Sequence, residues 1–266
     1  MDRKKEIGGM ARTARVALGL TLMASALYGA RAGQEPGTTL ERVNPVAKEL
    51  LDRAIQAMGG PAFLGAKNLT TRGRVFIISD GATSGFARFE NTDEYPDKRR
   101  FAYGDKADVV LVNNGERGWQ VDRFGVIRQE PAQVRRWIVA NRYSLENVLR
   151  AVIHEPDLLI QDGGVDFVDH LPAHAVEIVD TRQVRVKLYL HKTNFRPIRI
   201  TYRVQDLETR EWQDFDDVYG DYREIQGVQT PYHITRFRDG RRYAETFRNA
   251  AEYNRDYPLH YFSPAG

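Results

Sequence analysis

Two periodicities divide the chain. Between residues 45 and 58, Val46, Ala47, Leu50, Leu51, Ala54 and Met58 recur at the spacing of one helical face. Asn44 stands where an N-cap belongs, Pro45 takes the first helical position, and Gly59-Gly60 ends the pattern. From Leu69 the period falls to two. Thr71 to Ile78, Gly85 to Thr92 and Ala107 to Val112 alternate or run apolar, separated by Ser79-Asp80-Gly81 and a Pro96-Asp97 turn, and Asn113-Asn114-Gly115 leads on to Trp119 and Val121. These segments predict consecutive antiparallel strands joined by tight turns.

A second helical stretch interrupts them. It opens at Pro131 and carries Val134, Trp137, Ile138, Leu145, Val148, Leu149 and Val152 on one stripe, with Arg135, Arg136, Arg142 and Arg150 off it. Ser144 is a fresh cap, so a break is expected between Asn141 and Ser144. Beyond Pro156 the two-residue period resumes. Val184, Val186, Leu188 and Leu190 alternate with Arg185, Lys187 and Tyr189, and Ile198, Ile200, Tyr202 and Val204 with Arg199, Thr201 and Arg203. Further strands are expected over 173–179, 212–222, 232–237 and 242–248.

Strict alternation means that each strand buries one face and wets the other, which is the antiparallel habit and excludes a parallel α/β sheet. Striped helices must bury their stripes against the apolar face of that sheet. The expected fold is therefore α+β: a single curved antiparallel sheet forming an open half-barrel, with the amphipathic helices across its concave face. Imperfect filling of such a barrel leaves a cavity. The stripe Val134, Trp137, Ile138, Leu145, Val148 and Leu149, facing Phe76, Ile78, Phe89 and Trp119, has the composition of a hydrophobic ligand site. The same residue types also make an ordinary core, and the pattern leaves both readings open.

Charge changes the picture only at the N-terminus. The 266 residues carry 39 Lys+Arg, 36 Asp+Glu and a net charge of +3. Residues 1–32 have a basic start (Arg3, Lys4, Lys5, Arg12, Arg15), an apolar run from Val16 to Tyr28 and the small-x-small sequence Ala30-Arg31-Ala32, the pattern of an export signal cleaved after Ala32. The run is shorter than the roughly 20 residues that span a bilayer. Cleavage removes six basic and two acidic residues of those totals, leaving 33 basic and 34 acidic. A nucleic-acid partner is thereby excluded. Residues 33–42, polar and containing Pro36 and Gly37, read as a disordered leader, and residues 43–266 as one domain. With no cysteine there is no disulfide framework, no thiolate metal site and no cysteine for a lipid anchor. The expected location is the periplasm.

Candidate chemistry is sparse. Ser79, Ser84, Ser144 and Ser263 are the serines beyond the signal and none sits in a G-x-S-x-G elbow, and no phosphate-binding glycine loop follows a strand. His170 and His174 lie near Asp166 and Asp169, but Pro172 between the histidines prevents a helical turn from aligning both rings, so a solvated turn is expected there rather than a metal or catalytic site. Asp214, Asp216, Asp217 and Asp221 lack the glycine and terminal glutamate of a calcium loop and read as the wet face of a strand. No enzymatic activity, cofactor or metal is expected.

Three segments in order resemble the periplasmic lipoprotein localisation factor superfamily (LolA/LolB-like, with the related RseB-type sensors). They are EYPDKRRF (Glu94 to Phe101), LVNNGERGWQVD (Leu111 to Asp122) and HYFSPAG (His260 to Gly266); DYREIQGVQTP (Asp221 to Pro231) and AMGG (Ala57 to Gly60) are also similar to elements of an outer-membrane lipoprotein-sorting-type member. The resemblance implies an open sheet of about eleven strands around helices, holding a lipid or acyl chain. It departs at Tyr95, where carrier members place a lid-holding arginine before the proline. The function implied is a periplasmic carrier or chaperone for a lipid, lipoprotein acyl chain or other hydrophobic ligand, partnered by a lipid or acylated protein and by membrane-associated donor or acceptor proteins. The alternative is an envelope interaction or stress-sensing module that transports nothing.

Overall fold

The computed structural model describes residues 42–264 apart from 105 and 207. The export signal and all of the expected leader but Arg42 lie outside the described residues. Arg42 itself is engaged: its carbonyl accepts from the Ile160 amide at 2.7 Å and its guanidinium pairs with Asp157.

Helix α1 (Pro45–Met58) starts as its sequence dictates, the Asn44 Oδ1 accepting from the amides of Val46 and Ala47 at 2.9 and 3.1 Å. It ends at Gly59, whose φ of 124° is open to glycine and where a Cβ would collide with the Gly227 carbonyl oxygen. The buried stripe is Ala47, Leu50, Leu51, Ala54, Ile55 and Met58; Val46 lies one position off it and is exposed. A five-residue helix, α2 (Pro61–Gly65), follows and is too short to show a period in the sequence.

The strands are β1 (Asn68–Ser79), β2 (Ala82–Glu94), β3 (Lys98–Tyr103), β4 (Val109–Asn114), β5 (Arg117–Asp122) and β6 (Gly125–Arg128), then, after the helices, β7 (Leu159–Val168), β8 (Leu171–Val179), β9 (Arg185–His191), β10 (Pro197–Gln205), β11 (Trp212–Ile225), β12 (Val228–Arg238) and β13 (Arg241–Tyr253). The helical insert is α3 (Pro131–Arg142), α4 (Leu145–Arg150) and a 3-10 turn at Val152–His154. Ser144 caps α4 through its Oγ, 3.3 Å from the Asn147 amide, so the expected break falls where the serine places it. The described residues form thirteen strands, not about eleven. β3, β6 and β7 are the unforeseen ones: β3 is half-buried throughout with three basic residues, all four residues of β6 are exposed, and β7 breaks its register with β8 at Gly163-Gly164, so none alternates cleanly.

All thirteen strands pair antiparallel in one open sheet of order β6-β5-β4-β3-β2-β1-β13-β12-β11-β10-β9-β8-β7. Two runs of hairpins are thus joined by β1 against β13, with β6 and β7 at the edges; Val43 forms a short parallel bridge to Ile160 on the outer side of β7. The concave face holds the main core: the α1 stripe with Leu145, Val148 and Leu149 of α4 packs on Val176, Ile178, Val186, Leu188 and Ile200. On the opposite face the last residues lie across β1 to β3, the Tyr257 and Tyr261 rings stacked at 4.0 Å and their hydroxyls bonded to Thr70 and Thr92.

Candidate functional site

Register decides which side chains meet. On β1 the odd-numbered residues face the helices, because Thr71 opposes Asn91 and Val75 opposes Ala87, whereas Thr70 opposes Thr92 beneath the C-terminal tyrosines. The same parity carries Phe89, Asn91 and Asp93 of β2 to the concave face, followed by Arg99 and Phe101 of β3. From the other half come Phe215, Asp217 and Tyr219 of β11, Ile234 and Arg236 of β12, and Ala244, Thr246 and Arg248 of β13. Trp137, Ala140 and Asn141 of α3 and Glu146 of α4 lie across them. Together they enclose a cavity of about 360 Å³, within the range of small-molecule sites.

Of the ten residues expected to line one hydrophobic site, Phe89 and Trp137 reach this cavity. Leu145, Val148 and Leu149 have no exposed surface and belong to the core beneath α1, and Val134 is buried. Ile138 is half-buried on α3. Phe76 faces the opposite side of the sheet, its ring 5.8 Å from those of Phe86 and Phe247, and Ile78, of the same parity, is buried beyond a bulge. Trp119 continues the register row Thr70, Thr92, Arg100, Val112 and so also lies away from the helices. The expectation that these residues share one interior is corrected accordingly.

The cavity is far more polar than a hydrophobic site. Asn91 bridges two of its charges, donating from Nδ2 to Asp93 at 2.5 Å and accepting from Arg99 Nε at 2.8 Å. Arg236 lies 3.5 Å from Asp217 and donates to Thr246 Oγ1 at 3.1 Å. Burial pushes the Asp93 carboxyl above the ordinary carboxylate range, against the pull of Arg99 and with a further push from Glu146. Burial likewise raises Asp217, with Arg236 opposing, and lowers the Arg99 guanidinium. Three polar atoms on this wall have no partner: Thr71 Oγ1, Trp137 Nε1 and Arg248 Nε. Thr71 is 1 % exposed, so its hydroxyl has no water route other than the cavity.

Asp217 belongs to the acidic run expected to form a wet face. Asp216 does so, paired with Arg199 on the far side, while Asp217 shares the parity of Phe215 and Tyr219 and points inward. That parity was the signal in the sequence that could have found it. His170 occupies the β7–β8 turn with a φ of 68°, and His174 stacks on Phe195 at 5.7 Å. Among the described residues no group of three or more His, Asp or Glu side chains is arranged to hold a metal ion.

A second cavity, of about 200 Å³, lies on the other side of Ala140, Tyr202 and Phe215, which wall both spaces. Its lining is mostly apolar, with Ala132, Val139 and Val204, and Arg135 pairs with Glu208 at 3.3 Å beside it. The lid over both is fastened at its C-terminal end. Arg142 forks onto Glu155 at 2.8 and 2.7 Å and reaches Asp180 at 3.0 Å, and the Tyr143 hydroxyl donates to the same Asp180 oxygen at 2.8 Å. Asn141 and Asn147 both donate to the Pro96 carbonyl, at 2.8 and 2.9 Å, and Arg150 lies 4.1 Å over the Tyr95 ring. The Tyr95-Pro96 turn therefore holds the lid without an arginine at position 95.

No protein-family model matches the chain, and no curated protein matches it. Solved structures do. A LolA superfamily protein from Nitrosomonas europaea is 15% identical with a TM-score of 0.53, covering 82% of this chain and 97% of that one. A domain assigned to outer-membrane lipoprotein sorting from Vibrio parahaemolyticus is 8% identical with a TM-score of 0.54, covering 82% and 98%. A DUF1329 family protein from Desulfovibrio piger is 13% identical with a TM-score of 0.53, covering 82% and 97%. The chain thus has the LolA-like fold that its motifs resemble.

Proposed function

We propose that this protein is a periplasmic carrier that holds an amphipathic ligand, a lipid or the acyl end of a lipoprotein, beneath α3, and that it binds its ligand without chemical change. The observation that carries the reading is the pair of cavities meeting at Ala140, Tyr202 and Phe215, one polar and one mostly apolar. A chain of about ten methylenes taken from water contributes roughly 8 kcal/mol, enough for micromolar binding before ordering costs. The lid fits such a task, since one end is clamped through Arg142 while Trp137 and Ile138 stay half-buried. The lipoprotein-sorting assignment of one structure with this fold supports the lipid class by analogy.

Native mass spectrometry of protein purified gently from the periplasm is expected to show a bound mass that extracts into organic solvent. Protein that is always empty and takes up no fluorescent fatty acid would overturn the proposal. A second reading, an interaction module, rests on edge strand β6, where Val126 and Ile127 are exposed beside a Phe124 that is 79 % exposed. It requires a partner captured in a pull-down and lost on Val126→Lys with Ile127→Lys, with the cavities unaltered.

A further inference from the structure

Most charges in the polar cavity are neutralised locally. Arg99 is held by Asn91 with Asp93 4.0 Å away, and Arg236 is paired with Asp217. Two are not. Arg248 uses Nη1 on the Pro231 carbonyl at 2.9 Å, has no carboxylate within ion-pair distance among the described residues, and leaves its buried Nε without an acceptor. Glu146, in the first turn of α4, has no hydrogen bond or ion pair among the described residues. Its natural helical partner four residues on, Arg150, is occupied instead by the carbonyls of Phe63, Leu64 and Ala66. Glu146 and Arg248 both line this cavity, with no ion pair between them.

An unpaired cation and an unpaired anion on one cavity wall are costly unless something completes both. Around the cation the remaining orphans are donors or hydroxyls, Trp137 Nε1 and Thr71 Oγ1. Resting on the carrier reading above, we infer that the ligand's polar end is zwitterionic: a phosphate or carboxylate received by Arg248, Trp137 and Thr71, and an ammonium received by Glu146. The tail then leaves past Ala140, Tyr202 and Phe215 into the apolar cavity. The head is the buried end, and the ligand is selected by its charge pattern as well as by its chain.

The test uses three single-chain lipids of equal chain length in titrations below their micellar concentrations: one with a phosphoethanolamine head, one with a phosphoglycerol head and one an uncharged monoacylglycerol. The zwitterionic lipid is expected to bind roughly tenfold tighter than the phosphoglycerol lipid, the difference of one charge-assisted contact. Glu146→Gln is expected to abolish that preference and leave phosphoglycerol binding unchanged. Arg248→Gln is expected to weaken both phosphate heads by about tenfold and leave the monoacylglycerol unaffected. Should Arg248→Gln melt too low to titrate, Glu146→Gln, on a half-buried side chain, still decides. Three equal affinities, or a preference for phosphoglycerol that Glu146→Gln does not alter, would overturn the zwitterion assignment while leaving the carrier standing. No binding of any of the three would overturn both. Phosphoethanolamine without a chain is expected to bind at least about a hundredfold more weakly; equal binding would assign the cavity to a soluble solute and overturn the lipid reading.

Discussion

The concave face of the sheet is covered in two ways. Over β7 to β10 the α1 stripe and the α4 residues Leu145, Val148 and Leu149 are buried against the aliphatic strand residues in one continuous core. Over β1 to β3 and β11 to β13, α3 buries only Val134, and the space beneath is rimmed by arginines, carboxylates and tyrosine hydroxyls. One amphipathic stripe runs through both helices, so composition of the stripe does not separate them. The difference comes from what faces it. Aliphatic strand residues interdigitate with a leucine helix at the density of a protein interior, whereas long charged side chains anchored to one another leave volume that apolar atoms do not fill. The sealed half holds the larger share of the buried aliphatic core, and the other half holds the polar cavity.

This contrast can be broken at several points. The largest loss is expected at the clamp: Asp180→Ala strips partners from Arg142 and Tyr143 and should cost about 4 kcal/mol in urea unfolding. Next, Leu149→Ala in the sealed half should cost about 3 kcal/mol, and Ile138→Ala on the lid about 1 kcal/mol, each read by the same denaturation. Equal costs would mean that the lid is as tightly packed as the core.

The two halves should also answer acid with opposite sign. Burial pushes the Asp180 carboxyl up, but hydrogen bonds from Tyr143, the Val184 amide and Arg142 outweigh it and hold it below its ordinary value. Its stabilisation is complete above the unfolded carboxylate pKa of about 4 and is lost as pH falls through the depressed value. Asp93 and Asp217 are raised, so their ionised forms cost stability above the raised values, and that cost is relieved on acidification toward about pH 4. Thermal melts across pH 3 to 7 should therefore show Asp217→Asn flattening the limb above about pH 4 and Asp180→Asn flattening the limb below it. The smallest expected effect is that of Trp137→Phe, which removes a donor that has no acceptor and should leave stability within about 0.5 kcal/mol while weakening phosphate-headed ligands.

Much of the sealed half was legible in the sequence. Asn44, Gly59 and Ser144 announce their helix ends through cap chemistry that acts over three or four residues, and β9 and β10 alternate cleanly because one face packs on α1 and α4. The open half was harder to read for a physical reason. β1 is apolar on both sides, with Val75 and Ile77 toward the helices and Phe76 and Ile78 away, because the C-terminal tyrosines and neighbouring phenylalanines give the outer face an apolar layer of its own. Hydrophobicity then fails to say which side is inside, and Phe76 and Trp119 lie away from the helices that their composition predicts them to face. The polar cavity was visible only as parity, with Asp217 between Phe215 and Tyr219 and Asn91 and Asp93 two and four residues beyond Phe89.

The pairing of β1 with β13 has a consequence for how the chain reaches this state. Every other strand contact joins neighbours in sequence, so each run of hairpins can zip locally, but Leu69 must find Tyr253 across almost the whole domain. Closing that loop carries an entropy that no local turn offsets, so the seam is expected to form late and to set the folding rate. Tyr257 and Tyr261 latch onto β1 and β2 just past the seam, so the segment that follows the last strand of the sheet fastens the first one in place.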